Sequence, residues 1–394
     1  MGKLPFFSVL IPTKNRSHLV GQAIESVLFQ KYRDFEIIVS DNDDSDILTR
    51  TVVKKFDDQK IKYFRTQGNL SMHDNWEFAL SKAVGEYVMV LEDKQILYLD
   101  ALEKIYDAAG NGKNPCITWV NDSIDNTRET PIFRKHIGSG IKTTQSTDEI
   151  LKRFIKGDDV HFELPRMINS CLKRSFIDFV KYEKGLDRFF MPICPDLCAA
   201  FIQLNYLSEL LHIDEALRIT KRRHSNGLSM ITKGETAKRF ISEAGGAGAF
   251  NEYVPIKSPF LSSSVIFNDF ERIKRTVKGR LRNYSISTSL YFRKCYEDII
   301  WSESLGINMV DERKQFKDRL KENNTRLQTG LWLYSFMFSL RRVLAKLLKK
   351  IFGYNLLARL VGRKRREYHG LSDPLKLAMS PELDNRDIIN RNNL

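Results

Sequence analysis

The chain has 394 residues, 42% apolar and 28% charged, with a formal net charge of +14. That length exceeds one ordinary core, and the composition excludes a disordered or fibrous protein. Residues 1–270 hold 36 Lys and Arg against 36 Asp and Glu, whereas residues 271–394 hold 27 against 13, so the whole excess sits in the last third. Two parts with different partners are expected.

FFSVLI (6–11) is an apolar run closed by Pro12. Leu19, Ala23, Ile24, Val27 and Leu28 then recur at helical spacing. FEIIVS (35–40) is a second apolar run, ended by DNDDSD. Val52, Val53 and Phe56 predict a short helix, and IKYFR (61–65) a third strand. HDNWEFALSKAVG (73–85) reads as a helix stopped by glycine, and YVMVL (87–91) as the next strand. CITWVND (116–122) is a further strand. Residues 130–160 are irregular, residues 177–204 contain a turn around Pro192 to Asp196 before a helix, and GGAGAF (245–250) marks a joint. Strands this apolar, alternating with helices, predict a mostly parallel α/β sheet, whose ligands sit beyond the carboxyl ends of the strands. PTKNR, DNDDSD and LEDK all fall at those ends and outline one site. The five cysteines (Cys116, Cys171, Cys194, Cys198, Cys295) have no zinc spacing, which favours reduced thiols in a cytoplasmic protein. The start MGKLPFFSVLIPTKNR lacks a long apolar core, so no secretory signal is expected.

The order SVLIPTKNR, FEIIVSDN, NWEFALSKAVGEYVMVLED resembles the family 2 glycosyltransferases of the GT-A fold, over roughly residues 5–230. The resemblance implies inverting transfer of a sugar from a nucleotide-diphosphate donor, in bacterial surface polysaccharide, lipopolysaccharide or capsule synthesis. It also implies roles for single residues. Pro12, Thr13, Asn15 and Arg16 would border the nucleotide after the first strand. Asp41 matches the family's base-binding acid, suited to the ring N–H of uracil, and is also the residue type of a turn-forming acid. Asn42 stands where many members repeat Asp. Asn75 matches a position that contacts ligand or makes a structural hydrogen bond. Asp196, in CPDLCAAF, fits the general base that takes the acceptor's proton, and fits an N-cap as well. His224 matches a polar or metal-contacting position.

Members usually end the strand after GEY in consecutive aspartates that bind Mg²⁺ or Mn²⁺. Here the residues are Glu92, Asp93, Lys94 and Gln95. Three arrangements are compatible with Lys94. Its ammonium replaces the metal on the leaving diphosphate; or metal binds through Asp93, Glu92 and the substrate phosphates; or the site is a catalytically impaired one that binds nucleotide-sugar as a scaffold.

From about residue 265 the pattern is helical and basic. Residues 331–366 hold ten Lys and Arg and no acid. Leu340, Val343, Leu344, Leu347, Leu348 and Ile351 recur at helical spacing opposite Arg342, Lys346, Lys349 and Lys350, the pattern of a helix lying on an anionic membrane surface. The balanced front part argues against nucleic acid. The expected organisation is a GT-A domain over 1–235, a joint over 236–270, a basic helical extension over 271–375 and a polar tail over 376–394. The expected acceptor is a glycan or lipid-linked glycan, met peripherally on the inner face of the membrane.

Overall fold

The computed structural model describes residues 3–45, 47–160, 163–223, 225–360 and 365–379. The expectations for His224 and for residues 380–394 lie outside them. Its strands are β1 (Phe7–Thr13), β2 (Phe35–Asp41), β3 (Ile61–Arg65), β4 (Tyr87–Val90), β5 (Gln95–Leu97) and β6 (Cys116–Asp125). They are followed by β7 (Ile132–His136), β8 (Lys142–Ser146), β9 (Ser170–Lys173), β10 (Glu209–Lys221) and β11 (Arg365–His369). All belong to one sheet, with spine order β11-β7-β6-β9-β4-β1-β2-β3. Beside the spine, β10 pairs with β5, β6 and β8.

The expected α/β sheet flanked by helices is present; β3-β2-β1-β4 run parallel, and β10 runs parallel to β6. Every residue of β1 and β2 is buried, as continuous apolar strands between helices require. The helix Ser17–Leu28 covers one face with Leu19, Val20, Ala23, Ile24 and Val27. Beyond β4 the sheet turns antiparallel through β9, which pairs with both β4 and β6. Gly85 sets the height of β4: a Cβ there would lie 2.6 Å from the backbone nitrogen of Ser8. Its own N–H donates to Ser8 Oγ at 2.8 Å. In register, Thr13 stands beside Asp41, so the ends of β1 and β2 open at the same sheet edge.

The segment read as a joint is folded. It contains the helix Glu235–Glu243 and the start of Ser262–Thr276. Phe240 meets Phe250 edge to face at 5.5 Å. Phe154, Phe201 and Phe270 tie the front part to the C-terminal helices in one continuous core. The chain then returns to the sheet, where β11 pairs with β7 and Tyr368 stacks on Phe133.

The long helix Thr325–Leu360 has two faces. Leu331, Tyr334 and Phe338 point at the protein; Leu331 is 5% exposed and Phe338 meets Tyr296 at 6.1 Å. The opposite side exposes Trp332, Phe336, Leu340, Leu344, Leu347 and Ile351 to solvent. Among the described residues no helix is long and apolar enough to cross a membrane.

Candidate active site

Two adjacent cavities with shared lining residues open at the expected sheet edge. The smaller, about 80 Å³, is lined by Pro12, Thr13, Arg16, Asn42, Asn75 and Asp93, among others. The larger, about 740 Å³, is lined by Lys94, Gln95, Arg166, Asp196 and Arg218. Trp76, Glu92, Asn226 and Phe240 border both.

Asp93 lies just past β4 and is 2% exposed. Its Oδ2 accepts from the Thr13 hydroxyl at 2.9 Å and its Oδ1 meets Arg16 Nη1 at 3.3 Å. Arg16 also donates to Asn226 Oδ1 at 2.9 Å, which joins the turn after β1 to the short helix Asn226–Ile231 that follows β10. Asn42 accepts from Leu70 N at 3.0 Å and donates to Leu70 O at 2.8 Å. Asn75 donates to Thr13 O at 3.4 Å and accepts from Ser40. Asn15 holds a left-handed backbone at φ 55° and caps Asp44 with its side chain. It is part of the loop scaffold and does not line the smaller cavity.

Asp41 sits one strand over from Thr13 but does not line that cavity. Its carboxylate is fully buried and accepts from Tyr63 Oη at 2.5 Å, Arg65 Nη1 at 3.1 Å and Asp43 N at 2.9 Å. The structure therefore brings Thr13, Arg16, Asn42, Asn75 and Asp93 together and turns Asp41 into the wall.

The ammonium of Lys94 points at Glu92, 2.8 Å from Oε1, and Gln95 donates to the other carboxylate oxygen. Burial opposes ionisation of Glu92, but Lys94, Arg218 and Arg16 outweigh it and hold the carboxyl below the usual glutamate range. Lys94 lines the larger cavity only; Arg16 is the cation beside Asp93 in the smaller one. Each of the two acids proposed as metal ligands is thus already neutralised by a protein cation. Among the described residues no third His, Cys, Asp or Glu joins them in a metal-binding group. This donor set does not fit a preformed divalent site, since a hard cation there would first have to displace Arg16 and Lys94.

Asp196 is in the first turn of the helix Pro195–Tyr206, with Pro195 at its head. Its side chain reaches the larger cavity, 3.6 Å from Arg166 Nη1. Burial raises its carboxyl above the usual aspartate range, Arg166 pulls it back, and Glu92 adds to the rise. The turn before it is held by Asp269, which accepts from Ile193 N at 3.2 Å and Cys194 N at 2.9 Å. A cavity-facing carboxylate of raised basicity is the group a proton-abstracting step requires.

Sequence reasoning did not single out Arg166, Arg218, Asn226 or Asp269. Arg218 carried a signal nonetheless, as an arginine inside the apolar run ALRIT. Trp119 is fully buried packing, whereas Trp76, 5% exposed, borders both cavities.

Residues 8–171 match the family model described as Glycosyl transferase family 2. A GalNAc(5)-diNAcBac-PP-undecaprenol beta-1,3-glucosyltransferase from Campylobacter jejuni is 39% identical over 112 residues, 28% of this chain and 36% of that protein. A UDP-Glc:alpha-D-GlcNAc-diphosphoundecaprenol beta-1,3-glucosyltransferase from Escherichia coli is 32% identical over 96 residues, 24% of this chain and 38% of that one. The chain therefore matches little more than a third of these relatives' length. Among solved structures, S. aureus TarS 1-349 in complex with UDP-GlcNAc is 13% identical with a TM-score of 0.46, covering 75% of this chain and 88% of that one. With the ordered motifs at one sheet edge and the family match across them, residues 8–171 are a Glycosyl transferase family 2 region.

Proposed function

We propose that this protein transfers a sugar, with inversion, from a nucleotide-diphosphate donor to a glycan or lipid-linked acceptor at the cytoplasmic face of a membrane. The observation that carries the reading is the pair of adjacent cavities, one lined by Thr13, Arg16 and Asp93 and the other by Asp196. The donor lies in the first. Thr13, Asn42 and Asn75 border it, and Arg16 faces its diphosphate, where a fixed cation stabilises the charge that develops on departure. UDP-sugar is the favoured donor, in keeping with the printed name of the Escherichia coli relative. The acceptor enters the second cavity. Its hydroxyl oxygen attacks the anomeric carbon as its proton passes to Asp196. The bond from that carbon to the diphosphate oxygen breaks, and the nucleoside diphosphate leaves with the bonding pair.

Charge on the leaving group is met by Arg16, so turnover is independent of added divalent metal. Lys14 and Glu243 both line the smaller cavity and pair at 2.8 Å. Donor entry parts this pair and moves the helix Glu235–Glu243 outward. The outer face of Thr325–Leu360 holds the enzyme on anionic lipid.

UDP release from UDP-sugars, with membrane lipid extract as acceptor, tests the proposal with and without EDTA. Transfer that persists in EDTA supports it, and transfer abolished by EDTA rejects the role given to Arg16. UDP binding without turnover on any donor favours the scaffold alternative.

A further inference from the structure

We infer that the C-terminal segment Arg365–Met379 completes the larger cavity, with Arg365 as an acceptor-binding residue and Tyr368 as the residue that positions it. The inference rests on the proposed transfer, in which this cavity takes the acceptor, and adds residues that grip it.

The segment lies beyond the long helix Thr325–Leu360 and far outside the matched residues 8–171. It docks on the front sheet all the same. β11 runs antiparallel to β7, with Glu367 opposite Arg134 and Tyr368 opposite Phe133. β7 pairs in turn with the end of β6, where Asn121, Asp122 and Ser123 line the cavity.

Alternate residues of a strand face opposite sides. On one side of β11, Arg365 lines the cavity and donates through Nη2 to Asn121 O at 3.4 Å. On that side too, Glu367 accepts from Arg134 Nε at 2.9 Å, and Arg134 is itself a lining residue. The side chain of Asn121 accepts from Arg218 at 2.6 Å, so β11 and β10 both tie to this one wall residue. On the other side, Tyr368 stacks on Phe133 at 6.2 Å. Tyr368 also shares a small buried core with Ile96, Ile124, Ile219, Leu377 and Ala378. Leu377 and Ala378 come from the helix Pro374–Met379, and Ile96 directly follows Gln95, another lining residue. The segment therefore bears on the cavity from two directions.

Tyr368 and Leu377 are 8% and 9% exposed, so apolar burial fixes the strand. An arginine on a strand whose far face is locked in a core has little freedom left to lose when it binds. Its planar fork of N–H donors suits the oxygens of a sugar. Arg365 and Arg134 line the larger cavity and not the smaller one, which assigns them to the acceptor and not to the donor. The long helix is thus a loop of the transferring unit: the chain leaves the core, runs along the outer face and returns to supply part of the site.

Transfer from a UDP-sugar to a membrane lipid extract is the assay, with the extract titrated against the full chain at saturating donor. Arg365→Met is expected to raise the extract needed for half-maximal rate by about tenfold, the low end for losing a hydrogen bond to a charged group. The kcat and the KM for UDP-sugar should stay within about twofold, the signature of lost acceptor binding. Arg365→Lys should fall between wild type and Met. Tyr368→Ala, on the far face of the strand, should reproduce the acceptor defect by loosening it. Unchanged half-saturation in Arg365→Met, or a kcat and donor KM that move along with it, overturns the inference. Hydrogen exchange adds an arm that needs no turnover: residues 365–379 should exchange as slowly as β6 in the wild type, and faster in Tyr368→Ala. Exchange of that segment at unfolded-chain rates in the wild type overturns the inference as well. Wild-type protein that transfers no sugar would instead reject the proposed function, so the two failures are distinguishable.

Discussion

Replacing Leu344 and Leu347 together by Glu should detach the protein from anionic membranes. Both lie on the outward face of Thr325–Leu360, at 49% and 52% exposure. Each has about half a side chain left to bury, worth ~1 kcal/mol. Each glutamate adds a negative charge at the lipid surface, costing about another 1 kcal/mol. The double variant should lose ~4 kcal/mol of membrane affinity, about a thousandfold in partitioning. Because these side chains already face solvent, the melting temperature should hardly change. The assay is co-sedimentation with phosphatidylcholine vesicles, with and without phosphatidylglycerol. Wild-type protein should bind the anionic vesicles and lose them as salt rises. Equal sedimentation of variant and wild type, or equal binding to both vesicle types, would refute the reasoning.

Asp196→Asn should abolish transfer while leaving UDP affinity unchanged, read by product formation and calorimetry; retained transfer rejects Asp196 as the base. Since the base must be ionised, kcat/KM should rise with pH through a pKa above the usual aspartate range, and Arg166→Met should move that limb further up, because Arg166 opposes the rise. Glu243→Gln should tighten UDP binding several-fold, roughly the ~1 kcal/mol of a partly exposed pair, by freeing Lys14 and loosening the closed cleft. Asp269 is buried, and burial pushes its carboxyl up to about 6. The folded state therefore holds this proton more tightly than the unfolded chain, so the group's stabilisation is present below about pH 4 and lost as pH rises through about 6. Urea unfolding should accordingly show wild type exceeding Asp269→Asn by more at pH 4 than at pH 7, with up to ~3 kcal/mol between the two pH values; a pH-independent difference would reject the raised value.

The parallel half of the sheet was readable because its strands are buried on both faces. Nothing but a continuous apolar run satisfies that position, so FFSVLI, FEIIVS and YVMVL announced themselves. Of the remaining strands only β6 was legible, from CITWVND, and the others were hidden. β5 has three residues, β9 has four, and β8 is an exposed edge of polar residues, KTTQS. β10 mixes charges into its run and shifts register against β6, so no clean period survives.

At the site, the sequence by itself determined which groups would gather: Thr13 after β1, Asp93 after β4 and Asp196 at a helix start, since strand ends and caps are local properties. Only the tertiary structure decided what each group faces. Asp41 turns into the wall because Tyr63 and Arg65 on the neighbouring strand reach it first. Lys94 turns to Glu92, and Arg16 takes the place beside Asp93. Arg218 is buried against Asn121 only when β10 is laid beside β6. Arg16 meets Asp93 across 77 residues and Arg218 meets Asn121 across 97, and no local pattern in the chain encodes such a meeting.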